Sequence, residues 1–361
     1  MAILASSTAS NVALGVNYQM MKGLLSAARK KLPFFNGTLP GQLSKNGSTA
    51  SVKWERIENL TAATTAMSEI TGTTSAFFGR STVLPTVSTV TAAIAKYGNA
   101  VLLTEEIDLM QMNTRAMRFL DTLGANAGES LNALMESAYS TGFTTVRYSN
   151  GAAGGATADT NVTSAITATD IKYAVNFLNR QSAMRFTPET GGSTNIGTTP
   201  VRASYYGICH PDVEEDLRGI TGFSSVELYA GQTQTMPFEI GHVGGVRWCV
   251  SEIIPITTSA GTTTATGLRG ASNILNDVYS SYIYGKEAIG SVGLGNMHAT
   301  TSYEMYDPKN PPAVELINKP VGTVGTDLYN EVQSLAWKAW FAGKVLNANW
   351  GVKLRTGASK L

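Results

Sequence analysis

Residues 114 to 140 carry apolar side chains at Met117, Leu120, Ala127, Leu131, Leu134 and Ala138, a spacing that keeps them on one stripe. At 3.6 residues per turn the stripe describes an amphipathic helix about 40 Å long. So long a rod constrains the fold, because its apolar face needs covering along its whole run. Gly124 and Gly128 lie beside the stripe. They are expected to let a neighbouring element approach closely, each weakening the helix by about 1 kcal/mol relative to Ala. The segments on either side read largely as strands, which makes the expected class α+β.

Upstream, Leu14, Tyr18, Met21, Leu25, Ala28 and Leu32 predict a helix over 11–32, closed by Arg29, Lys30 and Lys31 and stopped by Pro33. Residues 34–49 read as an extended arm. Val52 to Ile57 alternates, and Val87 to Ala95 is rich in β-branched residues, so the two predict a long β-hairpin. Its Lys53, Trp54, Glu55, Arg56 and Glu58 are more than an isolated two-stranded ribbon can bury. The hairpin must therefore lie on something.

Downstream, the run GAAGGA at 151–156 reads as a junction. Thr167 and Asp170 have the spacing of a capping box, opening a helix to about Arg185. A buried strand is expected over 200–209, followed by a short helix in HPDVEEDLR, His210 to Arg218. There Pro211 suits the first helical position, and the acidic residues suit the positive end of the helix. Further strands are expected at 243–251, 279–285 and 288–294, with Leu335–Val345 and Trp350–Leu354 around a turn near the end.

Composition decides several function classes. Of 361 residues, 27 Lys and Arg balance 26 Asp and Glu for a net charge of +1, which excludes polyanion binding by bulk basicity. Charged residues make up 15%, against about 25% in an average soluble domain. A surface so sparsely charged is explained economically by neighbouring subunits that cover it, although abundant Ser and Thr also serve solubility. Cys209 and Cys249 lack metal-type spacing, so no zinc module or disulfide framework is indicated and a reducing cytoplasm is the natural setting. No secretory signal and no membrane-length apolar run are found.

Motifs for chemistry are missing. There is no GxxxxGK[ST] loop, GxSxG elbow or HExxH, and GLGNMH at 293–298 lacks the last Gly of a dinucleotide fingerprint. Cys209 and His210 are adjacent, but strand neighbours point to opposite faces. His242 has no partner at ligand spacing, and His298 stands alone. Glu105, Glu106 and Asp108 precede the long helix as acidic residues commonly do. Trp337, Trp340, Phe341 and Trp350 are expected in a sheet core rather than stacked on bases. No catalytic residue, metal or cofactor is expected.

Six blocks, in order, resemble the N-four-type major capsid proteins of tailed bacteriophages. They are WERIENLTAAT (Trp54 to Thr64), YGNAVLLTEEI (Tyr97 to Ile107), GTTPVRASYYGICHPDVEEDLR (Gly197 to Arg218), FEIGHVGGVRW (Phe238 to Trp248), IYGKEAIGSV (Ile283 to Val292) and WKAWFAGKVLNANW (Trp337 to Trp350). Asp327 departs from the family pattern, being followed by Leu328 where members often carry Pro.

The resemblance implies the Hong Kong 97-type phage capsid fold, with an N-terminal arm over 1–50, an E-loop hairpin over 51–96, a peripheral domain over 97–165 and 326–361 containing the long spine helix, and an axial domain over 166–325. It implies a structural protein of the virion, assembled in the host bacterial cytoplasm into an icosahedral shell of hexamers and pentamers around double-stranded DNA. Implied partners are further copies of the chain, a portal protein, a scaffolding protein and cement proteins, with non-specific contact to the packaged DNA and none to membrane. The arm-like segment follows Met1 at once, so the scaffold is expected to be a separate protein. Lys53, Trp54, Arg56 and Glu58 are the expected intersubunit contacts, with Trp54 as the anchor. Two alternatives stay open: a non-viral compartment shell of the same fold, and an enzyme with a site around His210, Asp212 and Glu215.

Overall fold

The computed structural model describes residues 32–41, 51–57, 84–104, 115–149, 158–186, 203–228, 238–262, 267–270, 275–292, 314–319 and 331–360, with single positions at 24, 28, 60, 62, 64 and 329. The expectations at Glu58, at Glu105, Glu106 and Asp108, at His298 and over most of 11–32 lie outside these residues.

The long helix forms as α1, Arg115–Gly142. Its buried stripe is Leu120, Leu123, Ala127, Leu131, Met135 and Tyr139, while Leu134 is only partly buried. The stripe meets two successive contacts along the length of the helix. Near its start α1 packs on a three-stranded sheet built from β4 (Ala95–Thr104), β12 (Val314–Lys319) and β13 (Val332–Phe341) in the order β12-β13-β4. Leu103, Leu335, Trp337, Ala339 and Phe341 face it from that sheet. Asn126 Oδ1 on α1 accepts from Trp337 Nε1 at 3.0 Å and so fixes the helix on the sheet.

Near its end α1 packs on a seven-stranded mixed sheet. The strands are β5 (Val146–Tyr148), β6 (Tyr205–Cys209), β7 (Ser224–Ser225), β8 (Glu239–Val243), β9 (Val246–Val250), β10 (Tyr279–Tyr284) and β15 (Gly351–Thr356), ordered β5-β15-β10-β6-β9-β8-β7. Period-two alternation divides this sheet cleanly. Tyr205, Cys209, Val246, Trp248, Tyr279, Ile283, Val352 and Leu354 form one apolar face. It is covered by α2 (Ala168–Arg180) and α3 (Pro211–Arg218), through Ile171, Ala174 and Leu178 and through Val213 and Leu217. Tyr206, Ile208, Cys249, Tyr282 and Tyr284 form the other face, against Tyr139 of α1. Burial on both faces accounts for runs such as YSSYIY, which show no polar alternation.

The helix starts follow their expected chemistry. Thr167 and Asp170 make the capping box, and α2 stops at Arg180, short of Arg185, because Ser182 turns left-handed at φ 52°. Pro211 opens α3, and its N-cap is His210, whose Nδ1 accepts from the Asp212 N–H at 3.1 Å.

Three expectations are corrected by long-range pairing. Residues 33–41 are no free arm. Pro33–Phe35 is a buried 3-10 turn, with the Phe34 N–H donated to Asn132 Oδ1 and the Tyr139 hydroxyl donated to Phe34 O. Leu39–Gly41 is β1, which pairs in parallel with β11 (Ile289–Val292) in a small sheet ordered β1-β11-β14, where β14 is Gly343–Val345. The two strands near the end do not pair with each other, since β13 joins β4 while β15 lies between β5 and β10. Sheet membership therefore crosses the division expected at residue 326. β12, from before that division, joins β13 from after it, and β15 lies between β5 and β10 in the seven-stranded sheet.

Candidate functional site

The hairpin pairs β2 (Ser51–Ile57) with β3 (Val87–Ala93) in a continuous antiparallel register, Ser51 opposite Ala93 and Ile57 opposite Val87. At its base Val52, Trp54 and Ala92 are buried. They sit with Leu39, Ile94, Val292, Ala342 and Leu346 in a cluster of their own. The indole of Trp54 lies across β1 and β11. A methyl group on Gly41 would meet Trp54 Cζ2 at 2.6 Å, and one on Gly290 would meet Cε2 at 2.7 Å.

This placement corrects the expectation that the ribbon's own chain offers nothing to bury Trp54. The indole is 7% exposed in the isolated chain, because β1 and β11 supply the surface that a bare ribbon lacks. Lys53 points outward and is exposed, and Arg56 is half-buried. Exposed apolar side chains stand where the charges had been singled out: Ile57 and Val87 at the far end of the paired segment, Leu84 just before it and Leu60 just after β2. The two glycines escaped notice because each is one Gly in a short strand, although an isolated strand Gly is a signal of close approach.

The three-stranded sheet shows a second open surface. Trp337 and Phe341 are buried as expected, but Trp340 alternates to the outer face and is 45% exposed, with Lys96 Nζ 5.8 Å from its ring centre. Leu102 shares that face, and Lys338 and Glu315 pair across it at 2.8 Å.

Of the residues of the enzyme alternative, His210 and Asp212 are brought together with the Asp212 carboxylate occupied, while Glu215 stands apart. Asp212 Oδ1 accepts from Arg269 Nη1 at 2.7 Å, and its Oδ2 accepts from the Tyr279 hydroxyl at 2.9 Å. His210 uses Nδ1 as the helix cap, and burial lowers its pKa. Glu215 is exposed on α3. Burial pushes the Cys209 thiol well up and the Cys249 thiol up to about 12, so neither is available as thiolate near neutral pH. His242 lies on β8 beside Arg247 on β9. Among the described residues no group of three His, Cys, Asp or Glu side chains could hold a metal ion.

Buried polar pairs concentrate in and around the seven-stranded sheet. Arg247 and Glu239 form an ion pair at 3.0 Å with both side chains almost wholly inside, and Arg247 also donates to Ser204 Oγ at 2.8 Å. Glu136 of α1 accepts from the Tyr282 hydroxyl at 2.6 Å, and burial raises its pKa. Asp170 serves both the capping box and Arg147, at 3.1 Å.

A doubly covered mixed sheet, a spine helix shared with a smaller sheet and a projecting hairpin together make the Hong Kong 97-type capsid fold. Particular solved structures carry the comparison. The capsid of Ralstonia phage GP4 is 12% identical, covers 92% of this chain and 90% of that chain, and has a TM-score of 0.60. The head structure of Helicobacter pylori bacteriophage KHP40 is 11% identical over 91% of each chain, with a TM-score of 0.53. The capsid structure of cyanophage P-SCSP1u is 12% identical over 91% and 90%, with a TM-score of 0.51. No protein-family model matches the sequence, and no curated protein matches it.

Proposed function

We propose that this chain is a major capsid protein, assembling as hexamers and pentamers into the icosahedral head of a tailed bacteriophage and enclosing double-stranded DNA. One observation carries the reading: the likeness to phage capsids runs over about nine-tenths of both chains. The chemistry is consistent with it. A shell works by multiplicity, each contact being modest and closure making the contacts reinforce one another. Ile57, Leu60, Leu84 and Val87, with Lys53, Arg56 and Glu58, are the contacts we assign to an adjacent copy, and Trp54 is assigned to its own chain. A net charge of +1 suits a wall that contains DNA without gripping its phosphates.

On this reading the protein has no catalytic role, and the occupied oxygens of Asp212 support that. Its partners are a portal protein, a scaffolding protein and cement proteins. It assembles in the host bacterial cytoplasm and ends in the virion. Electron microscopy of the purified protein tests the reading: closed shells are expected, and discrete small particles under all assembly conditions contradict it. Shells isolated from cells are expected to hold double-stranded DNA, whereas an enzyme cargo points to a non-viral compartment.

A further inference from the structure

The hairpin meets its own chain through one large side chain near its base. Burial falls along the ribbon, from Val52 at 5%, Ala92 at 6% and Trp54 at 7% to Val87 at 53% and Ile57 at 66%. Beneath the indole, Gly41 and Gly290 present bare backbone from two neighbouring strands, and a methyl group on either would collide with the ring. The indole N–H is buried and has no hydrogen-bond partner among the described residues. An unpaired buried donor opposes docking, so shape and apolar contact alone hold the ring in place.

We propose that Trp54 on its two-glycine floor is a reversible latch that sets the angle of the hairpin in the free subunit, before any neighbour is present. The ring can leave without breaking a hydrogen bond, and on leaving it recovers the hydration of its N–H. Undocking strips the ribbon of the one buried cluster it has among the described residues, and a two-stranded ribbon alone is marginal in water. The hairpin and the axial sheet are therefore separate units of local stability. The inference concerns the isolated chain and stands independently of the capsid reading.

Native-state hydrogen exchange on the free, full-length subunit tests it. Gly290→Ala is expected to speed exchange of the amides in 51–57 and 87–93 by roughly tenfold or more, leaving the amides of 205–209 and 279–284 unchanged. Gly41→Ala, which intrudes from the other strand, is expected to do the same, and the outward Lys53→Ala to do neither. Unchanged hairpin exchange in both glycine variants overturns the latch. Equal acceleration in the axial sheet overturns it too, since the glycines would then only support the fold. If neither glycine variant folds, Trp54→Ala decides: it adds no bulk and must show the same selective acceleration.

Discussion

The hairpin and the seven-stranded sheet have the same local geometry and opposite fates. In both, residues alternate with period two, yet every residue of β6 and β10 is buried, whereas β2 buries only Val52 and Trp54. The difference comes from covering elements. α2 and α3 close one face of the large sheet and α1 closes the other, while among the described residues the hairpin is covered at its base, by β1, β11 and the segment around β14. Burial of a strand in this chain is therefore set by what lies over it, and the far end of the paired hairpin segment leaves Ile57 and Val87 exposed in the isolated chain.

The largest break in this contrast is expected inside the large sheet. Arg247→Ala breaks the buried ion pair with Glu239 and should cost about 3–5 kcal/mol, read as a lower denaturant midpoint of the subunit. Leu131→Ala, where α1 is fully buried, should cost about 2–5 kcal/mol by the same measurement. His210→Ala removes one helix cap and should cost about 1 kcal/mol.

That cap also carries a pH dependence. Burial lowers the pKa of His210 in the folded state and Arg269 acts in the same direction, together outweighing Asp212 and Glu252, which raise it. As pH falls below the ordinary value of 6.5, the unfolded chain takes up the proton first. Stability is thus lost from that point downward until the lowered folded pKa is passed. In His210→Ala this share of the loss should vanish, which denaturation at pH 7.5 and at acid pH compares. The smallest effect on the subunit is expected at the hairpin tip. Ile57→Ser with Val87→Ser should leave subunit stability within about 0.5 kcal/mol, while the yield of closed shells in electron micrographs drops.

Local chemistry was the legible part of the sequence. The capping box at Thr167 and Asp170, Pro211 at the start of α3 and the pairing of 51–57 with the segment from Val87 each depend on residues close together in the chain or on a strong alternating pattern. What stayed hidden was pairing between distant segments. Nothing near Leu39 announces that it runs beside Gly290, and the alternation of 335–345 is the same whether its partner is β15 or β4. For this reason Trp54 was read as an anchor without a floor, and Trp340 was counted as core although its neighbours Ala339 and Phe341 face inward.

The place of β15 has a consequence for synthesis. It pairs on one side with β10 and on the other with β5, yet it is translated after every other strand of that sheet. Until residues 351–356 emerge, β10 keeps a bare edge and β5 has no partner. The axial sheet can close only after translation has passed this point, and a chain cut short before it carries an open strand edge of the kind that recruits other chains into aggregates.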